Sequence, residues 1–161
     1  MRAANFEAAD LTDCIISGNN LSDTNFNKTI LFRTAFSASE FSGARFTDVR
    51  LANVKIASSD LRKAIFENCE FESVDFRSSD MSGLCLDGQS FTNVKFDNAG
   101  LNGTSFKGTA LKNVSFRSTF ALTNRYYKAL RTIDFEGATM DKLTYAVLKG
   151  IGVDLSKVIK V

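Results

Sequence analysis

At 161 residues the chain suits a single domain, carries a formal net charge of +2 at pH 7, and holds three cysteines but no histidine, tryptophan or proline. Without histidine the commonest general base and metal ligand is missing, and the apolar stretches are only a few residues long, too short to span a membrane. Near-neutral charge leaves no electrostatic footprint for nucleic acid.

The pattern that dominates the chain is already in register at Ala4-Asn5-Phe6, and every fifth residue from Phe6 to Phe116 is Phe, Leu, Ile or Met, over 23 consecutive positions. A helix advances about 100° per residue, so a period of five would spiral around it and bury nothing. A straight strand fails as well, because every second unit would face solvent. The period works only if the chain bends at each unit and coils about a common axis, one coil stacking on the next at about 4.8 Å. Two residues before each large residue the side chain is mostly Ala, Cys, Ser, Thr or Val. That second column also points inward, where only a small partner fits beside Phe or Leu. The complete absence of proline agrees with a stack that uses backbone donors on every side.

Cys14 and Cys69 fall in the inward small column and Cys85 outward. No pair lies within bridging reach, so a reducing, cytoplasmic compartment is expected, with an exported or organellar lumen as the alternative after removal of an upstream targeting segment. The weak spot of the series is Ser82 to Gln89, where the small column holds Leu84 and then Gln89. A local widening is expected there, with the Gln89 amide bonded to backbone groups. The register breaks after Phe116. Leu122, Tyr126 and Leu130 are spaced i, i+4, i+8, which predicts a short amphipathic helix. Further units are expected at Phe135 and Met140, shifted by one residue. Asp141 offers an N-cap to a second helix carrying Leu143, Ala146, Val147 and Leu148 and ending at Gly150. The alternating tail from Val153 to Val161 is expected to lie along the stack. The domain thus has two parts: a solenoid over 1–118 and a C-terminal cap over 119–161, with two short helices and an expected extra repeat unit.

Ala4-Asn5-Phe6, Ala9-Asp10-Leu11, Ser59-Asp60-Leu61 and Ser79-Asp80-Met81 resemble units of the pentapeptide-repeat family, whose consensus is Ala-(Asp/Asn)-Leu-x-x. The resemblance implies an all-β fold, a right-handed quadrilateral β-helix with four five-residue sides per coil, here with a short helical C-terminal cap. Alternation of Phe-rich and Leu-rich sides fits four sides per coil, and a period of ten would fit as well. The family's best-known activity, implied only by the resemblance, is mimicry of an acidic DNA duplex by quinolone-resistance members that bind DNA gyrase. Residues 4–123 carry 12 basic and 14 acidic side chains, too few surplus negatives to stand in for a duplex.

No triad, paired-cysteine metal site or phosphate loop is present in the sequence, so the chain is read as a non-enzymatic scaffold or protein-interaction module without cofactor or metal. An unidentified protein partner is expected, and neither nucleic acid nor membrane. Two outward features are candidate interaction surfaces. Glu40, Asp60 and Asp80 should stack as an acidic column relieved by Arg62 and Lys63. Ile30 and Phe32 flank Leu31 and should form an exposed apolar pair. Lys55, Asp75, Lys95 and Arg77, Asp97, Arg117 read as salt-bridge ladders. Finally, Phe6, Leu11, Ile16 and Leu21 form a first layer with nothing above it except Met1 to Ala3. Upstream residues or an end-on homodimer would cover that layer, and a two-fold dimer is the favoured reading.

Overall fold

The computed structural model describes residues 1–118 and 124–161. Its parallel bridges join residues 20 apart: Asn5 to Asn25, Asn25 to Arg45, Glu40 to Asp60, Lys55 to Asp75. Twenty residues in five-residue units make four sides per coil, which removes the ten-residue alternative. The fold is therefore a quadrilateral β-helix. Its strands are very short because each side bends after a few residues. They are β1 (Leu31–Phe32), β2 (Arg45–Thr47), β3 (Arg50–Ala52), β4 (Ile65–Glu67), β5 (Glu70–Glu72), β6 (Ser90–Thr92), β7 (Ala110–Lys112), β8 (Thr139–Met140) and β9 (Ile159–Lys160). Among the described residues two helices follow the regular coils, α1 (Asn124–Leu130) and α2 (Lys142–Ile151). One side of the rod is a continuous parallel sheet in the order β1-β3-β5-β6-β7-β8-β9, and the side before it in each coil holds the pair β2-β4.

Each central residue donates its amide to the next coil, as Phe6 N does to Asn25 O at 2.8 Å and Leu61 N to Asp80 O at 2.8 Å. Three residues after the central one the amide turns back to it, as Ala9 N does to Phe6 O at 2.9 Å. Closing that turn puts the second residue after the centre in the left-handed region. Asp13, Asn53 and Asn113 accept this readily, but Ala8, Lys28 and Arg33 adopt it too. Left-handed geometry costs an ordinary residue about 1–2 kcal/mol, which the bonds on both sides of the corner outweigh. Lys63 departs from the rule: Gly43 N bonds to Lys63 O instead of the preceding carbonyl.

Inside the rod the central side chains are buried, and the aromatic ones stack from coil to coil. Phe26 and Phe46 lie 4.7 Å apart at 5°, and Phe71 and Phe91 4.6 Å apart at 10°. The inward serines form a ladder of their own: Ser39 N donates to Ser59 Oγ at 3.1 Å and Ser59 N to Ser79 Oγ at 3.0 Å. Gln89 behaves as its position predicts. Its Oε1 accepts Cys69 N at 2.6 Å and its Nε2 donates to Phe66 O at 3.3 Å.

At the N-terminal end the first central residue is Met1, not Phe6. Met1 O closes the turn with Ala4 N, and Ala3 N bonds to Ser22 O, so Met1 occupies the position above Leu21. Leu21 is fully buried beneath it.

Beyond Phe116 the predicted Leu122 lies outside the described residues, while Tyr126 and Leu130 fall in α1. Leu130 is fully buried and restarts the central column, followed by Phe135 and Met140. Bridges now step from Ser105 to Asp134 and from Leu111 to Met140, which is 29 residues instead of 20. The step returns to 20 where Thr139 pairs with Ile159, so the ten residues of α2 replace two sides without disturbing register. Asp141 caps α2, accepting Leu143 N at 2.8 Å and Thr144 N at 2.9 Å.

Two details of α2 correct the sequence reading. It ends at Gly152, not Gly150, because Gly152 takes the left-handed conformation (φ 85°) that lets its amide reach the last carbonyls. Its buried face is Thr144 and Leu148, leaving Leu143 and Val147 exposed. The last coil presents the amide of Val114, which needs an acceptor, and Thr144 Oγ1 supplies it at 3.2 Å. Among the described residues no helix is long and apolar enough to cross a membrane.

Candidate functional site

Where Asp or Asn precedes a central residue, it is a turn device before it is a charge. Its side-chain oxygen accepts the backbone amide two residues on: Asp10 from Thr12 at 2.9 Å, Asn20 from Ser22 at 3.0 Å, Asp60 from Arg62 at 3.1 Å and Asp80 from Ser82 at 3.0 Å. This is the turn-forming preference of short acidic and amide side chains.

The acidic column must be read with that in mind. Glu40, Asp60 and Asp80 do stack on successive coils. Each is already occupied. Glu40 Oε2 accepts Asn20 Nδ2 at 2.8 Å. Arg62 Nη2 lies 2.6 Å from Asp60 Oδ2, and its Nε 3.5 Å from Asp80 Oδ2. The Arg62 hydrogen bond holds the Asp60 carboxyl below the ordinary range. Among the described residues no group of acidic, cysteine or histidine side chains is arranged to hold a metal ion.

The expected ladders differ in detail. Lys55, Asp75 and Lys95 stack as read. Arg77, however, turns to Asp75 at 2.7 Å rather than to Asp97. Asp97 instead accepts Arg117 N at 2.8 Å and the Ser115 hydroxyl. A neighbour within the same turn costs Arg77 less side-chain ordering than reaching across a coil.

Ile30 and Phe32 occupy the outer surface of the sheet side, two sides away from the acidic column and so on the opposite face of the rod. The structure does not bring the two candidate features together. Ile30 is 53% exposed and Phe32 half-buried, packed over Ala52 one coil on. The Arg33 guanidinium sits 4.1 Å from the Phe32 ring centroid and is held there by both oxygens of Asp13, each at 2.6 Å. Between Ile30 and Phe32 on one side and Lys28, Asp48 and Arg50 on the other lies a shallow groove of about 340 Å³.

The N-terminal layer is smaller than the sequence indicates. Leu21 is covered, Ile16 is buried, and Phe6 and Leu11 are half-buried beside Met1. Sequence reading also missed a largely apolar groove where α1 lies against the rod, between Ala99, Leu101, Tyr126 and Ala129, with Asp80 and Arg125 among its polar groups. Its signal is compositional, since Gly83, Gly100 and Gly103 thin the rod's outer surface along that side.

A family model described as Pentapeptide repeats matches residues 1–33, 29–68 and 57–88, in eight copies. Among solved structures, QnrB1, a plasmid-mediated fluoroquinolone resistance protein, superposes with a TM-score of 0.70 at 18% identity, covering 92% of this chain and 73% of its own. The pentapeptide repeat protein Rfr23 from the cyanobacterium Cyanothece 51142 superposes with a TM-score of 0.58 at 12% identity, covering 83% and 89%. No curated protein matches the sequence.

Proposed function

This chain belongs to the pentapeptide-repeat family, and we propose that it is a non-enzymatic interaction scaffold that presents side chains at fixed positions to a protein partner. The observation that carries the reading is the division of its surface. Carboxylates on the acidic column are bonded to neighbours on the rod, whereas the opposite sheet face leaves Ile30 exposed beside the Phe32 groove. An exposed isoleucine beside a half-buried phenylalanine on a rigid sheet is a contact surface that water alone does not favour. The absence of histidine in the sequence and the short, scattered polar clusters support a binding role over a catalytic one. The compartment is proposed to be reducing, on the strength of three unpaired cysteines.

The rival reading is duplex mimicry, motivated by the likeness of fold to QnrB1. Such a mimic needs a dense, free negative surface, and ion pairs on this rod remove much of that field. A supercoiling assay with DNA gyrase and a fluoroquinolone separates the two. The scaffold reading expects neither inhibition nor drug protection at stoichiometric protein; protection at that ratio would establish the mimic.

A further inference from the structure

Taken outward from its middle strand, the sheet face carries apolar groups toward both ends and a carboxylate on one side where the other side has an ammonium. β6 is the fourth of seven strands, so inverting the face about β6 exchanges β1 with β9, β3 with β8 and β5 with β7. At one end of the strands stand Ile30 and Phe32, with Asp10 bridged to Ile30 one coil further out, and at the other Ile159 and Val161, which are 57% and 66% exposed. Six strand spacings separate them, about 29 Å. Next inward are Arg50 on one side and Thr139 with Asp141 on the other. Then come Glu70 and Glu72 against Ala110 and Lys112. Ser90 and Thr92 lie at the centre and map onto themselves.

From this we infer that the sheet face pairs with the same face of a second copy, the rods antiparallel about a two-fold axis running along β6. An axis in that direction preserves the column of each side chain, so Ile30 meets the partner's Ile159, Phe32 the partner's Val161, and Glu72 the partner's Lys112. The charges are matched between copies better than within one. Glu70 and Glu72 share the single guanidinium of Arg50, at 3.8 Å for Glu70. Lys112 forms no ion pair among the described residues. The second copy supplies the surplus carboxylate with the surplus ammonium, twice over, because a two-fold contact is made in duplicate.

Register follows from the same charges. Sliding the partner one strand one way sets Arg50 beside Lys112; sliding it the other way sets Glu72 against Asp141. Both bring like charges together. Helix α1 does not obstruct the approach: it reaches Phe96 O through the Tyr126 hydroxyl at 3.1 Å and borders Ser82 and Asn102, all on other sides of the rod.

This pairing rests on the interaction-scaffold reading and names the partner as the chain itself. It is tested by sedimentation velocity across a concentration series, using surface substitutions that leave the core intact. The wild type is expected to move from monomer to dimer. Glu72→Lys, which sets lysine against lysine at two equivalent places, is expected to weaken the dimer about fivefold or more. Lys112→Glu is expected to do the same, and the Glu72→Lys/Lys112→Glu double variant to restore it. A local effect of losing the Arg50 partner would not be rescued by a change two strands away. In a Cys85→Ser background, Ser90→Cys is expected to form a disulfide-linked dimer under mild oxidation, since Ser90 faces itself. A monomer at every concentration would overturn the pairing, as would a dimer indifferent to Glu72→Lys but broken by Leu11→Lys, which would mark an end-on contact. Neither outcome bears on the gyrase assay, so the scaffold reading stands or falls separately.

Discussion

Phe66 and Glu67 are neighbours in sequence with opposite surroundings. The Phe66 ring is buried and stacks on Phe46 at 4.8 Å, while Glu67 points to solvent. Phe66→Ala is expected to cost about 3–5 kcal/mol through the cavity it leaves, and Glu67→Ala less than about 0.5 kcal/mol. Urea melts of the two variants check this, and coincident midpoints would contradict the inward assignment. The turn carboxylates give a second expectation. Asp10, Asp60, Asp134 and Asp154 are each held below the ordinary carboxylate range, chiefly by a hydrogen bond from the residue two positions on. A depressed folded value stabilises the fold above the unfolded value, near 3.9, and is lost as pH falls through the folded one. Stability is therefore expected to be flat from pH 7 to 5 and to drop below about pH 4. Asp60→Asn should shrink that drop, as read by urea midpoints at each pH.

At the scale of elements, the corners and the cap decide what could be read in advance. The five-residue period and the small inward column made the coil legible, because both are side-chain patterns that a buried axis imposes. Gln89 was legible for a related reason, since a buried amide must find backbone partners. Leu21 was rightly placed in the central column but read as uncovered, because Met1 was not counted as a unit: one residue lacks the flanking small and polar positions that identify the others. The buried face of α2 was misread because hydrophobicity alone favours Leu143 and Val147, whereas the orphan amide of Val114 requires a hydroxyl. In the acidic column Asp60 and Asp80 also accept backbone amides two residues on, and such turn bonds leave no trace in spacing. Asp141 joins two elements, capping α2 and also accepting Asn113 N from the last regular coil. Asp141→Ala is expected to cost about 1–2 kcal/mol, seen as a lowered thermal midpoint with loss of helical signal at 222 nm.

For the whole molecule, the central claim is that twenty-residue coils, bonded to one another on every side, hold each outward group at a fixed place on the rod. Both the scaffold reading and the face pairing depend on it. Amide hydrogen exchange followed by NMR measures it residue by residue. Amides of the central residue and of the residue two after it donate to a neighbouring coil, as Phe36 N does to Lys55 O at 2.8 Å and Ala38 N to Ala57 O at 3.0 Å. Amides one after the centre turn outward, to a side chain such as Asn5 Oδ1 or to water. The expected result is slow exchange at Phe36, Ala38, Ile56, Ser58, Phe76 and Ser78, with fast exchange at Ser37 and Ala57 between them. Uniform protection across all five positions of a unit, or protection following a helical period, would contradict the coil.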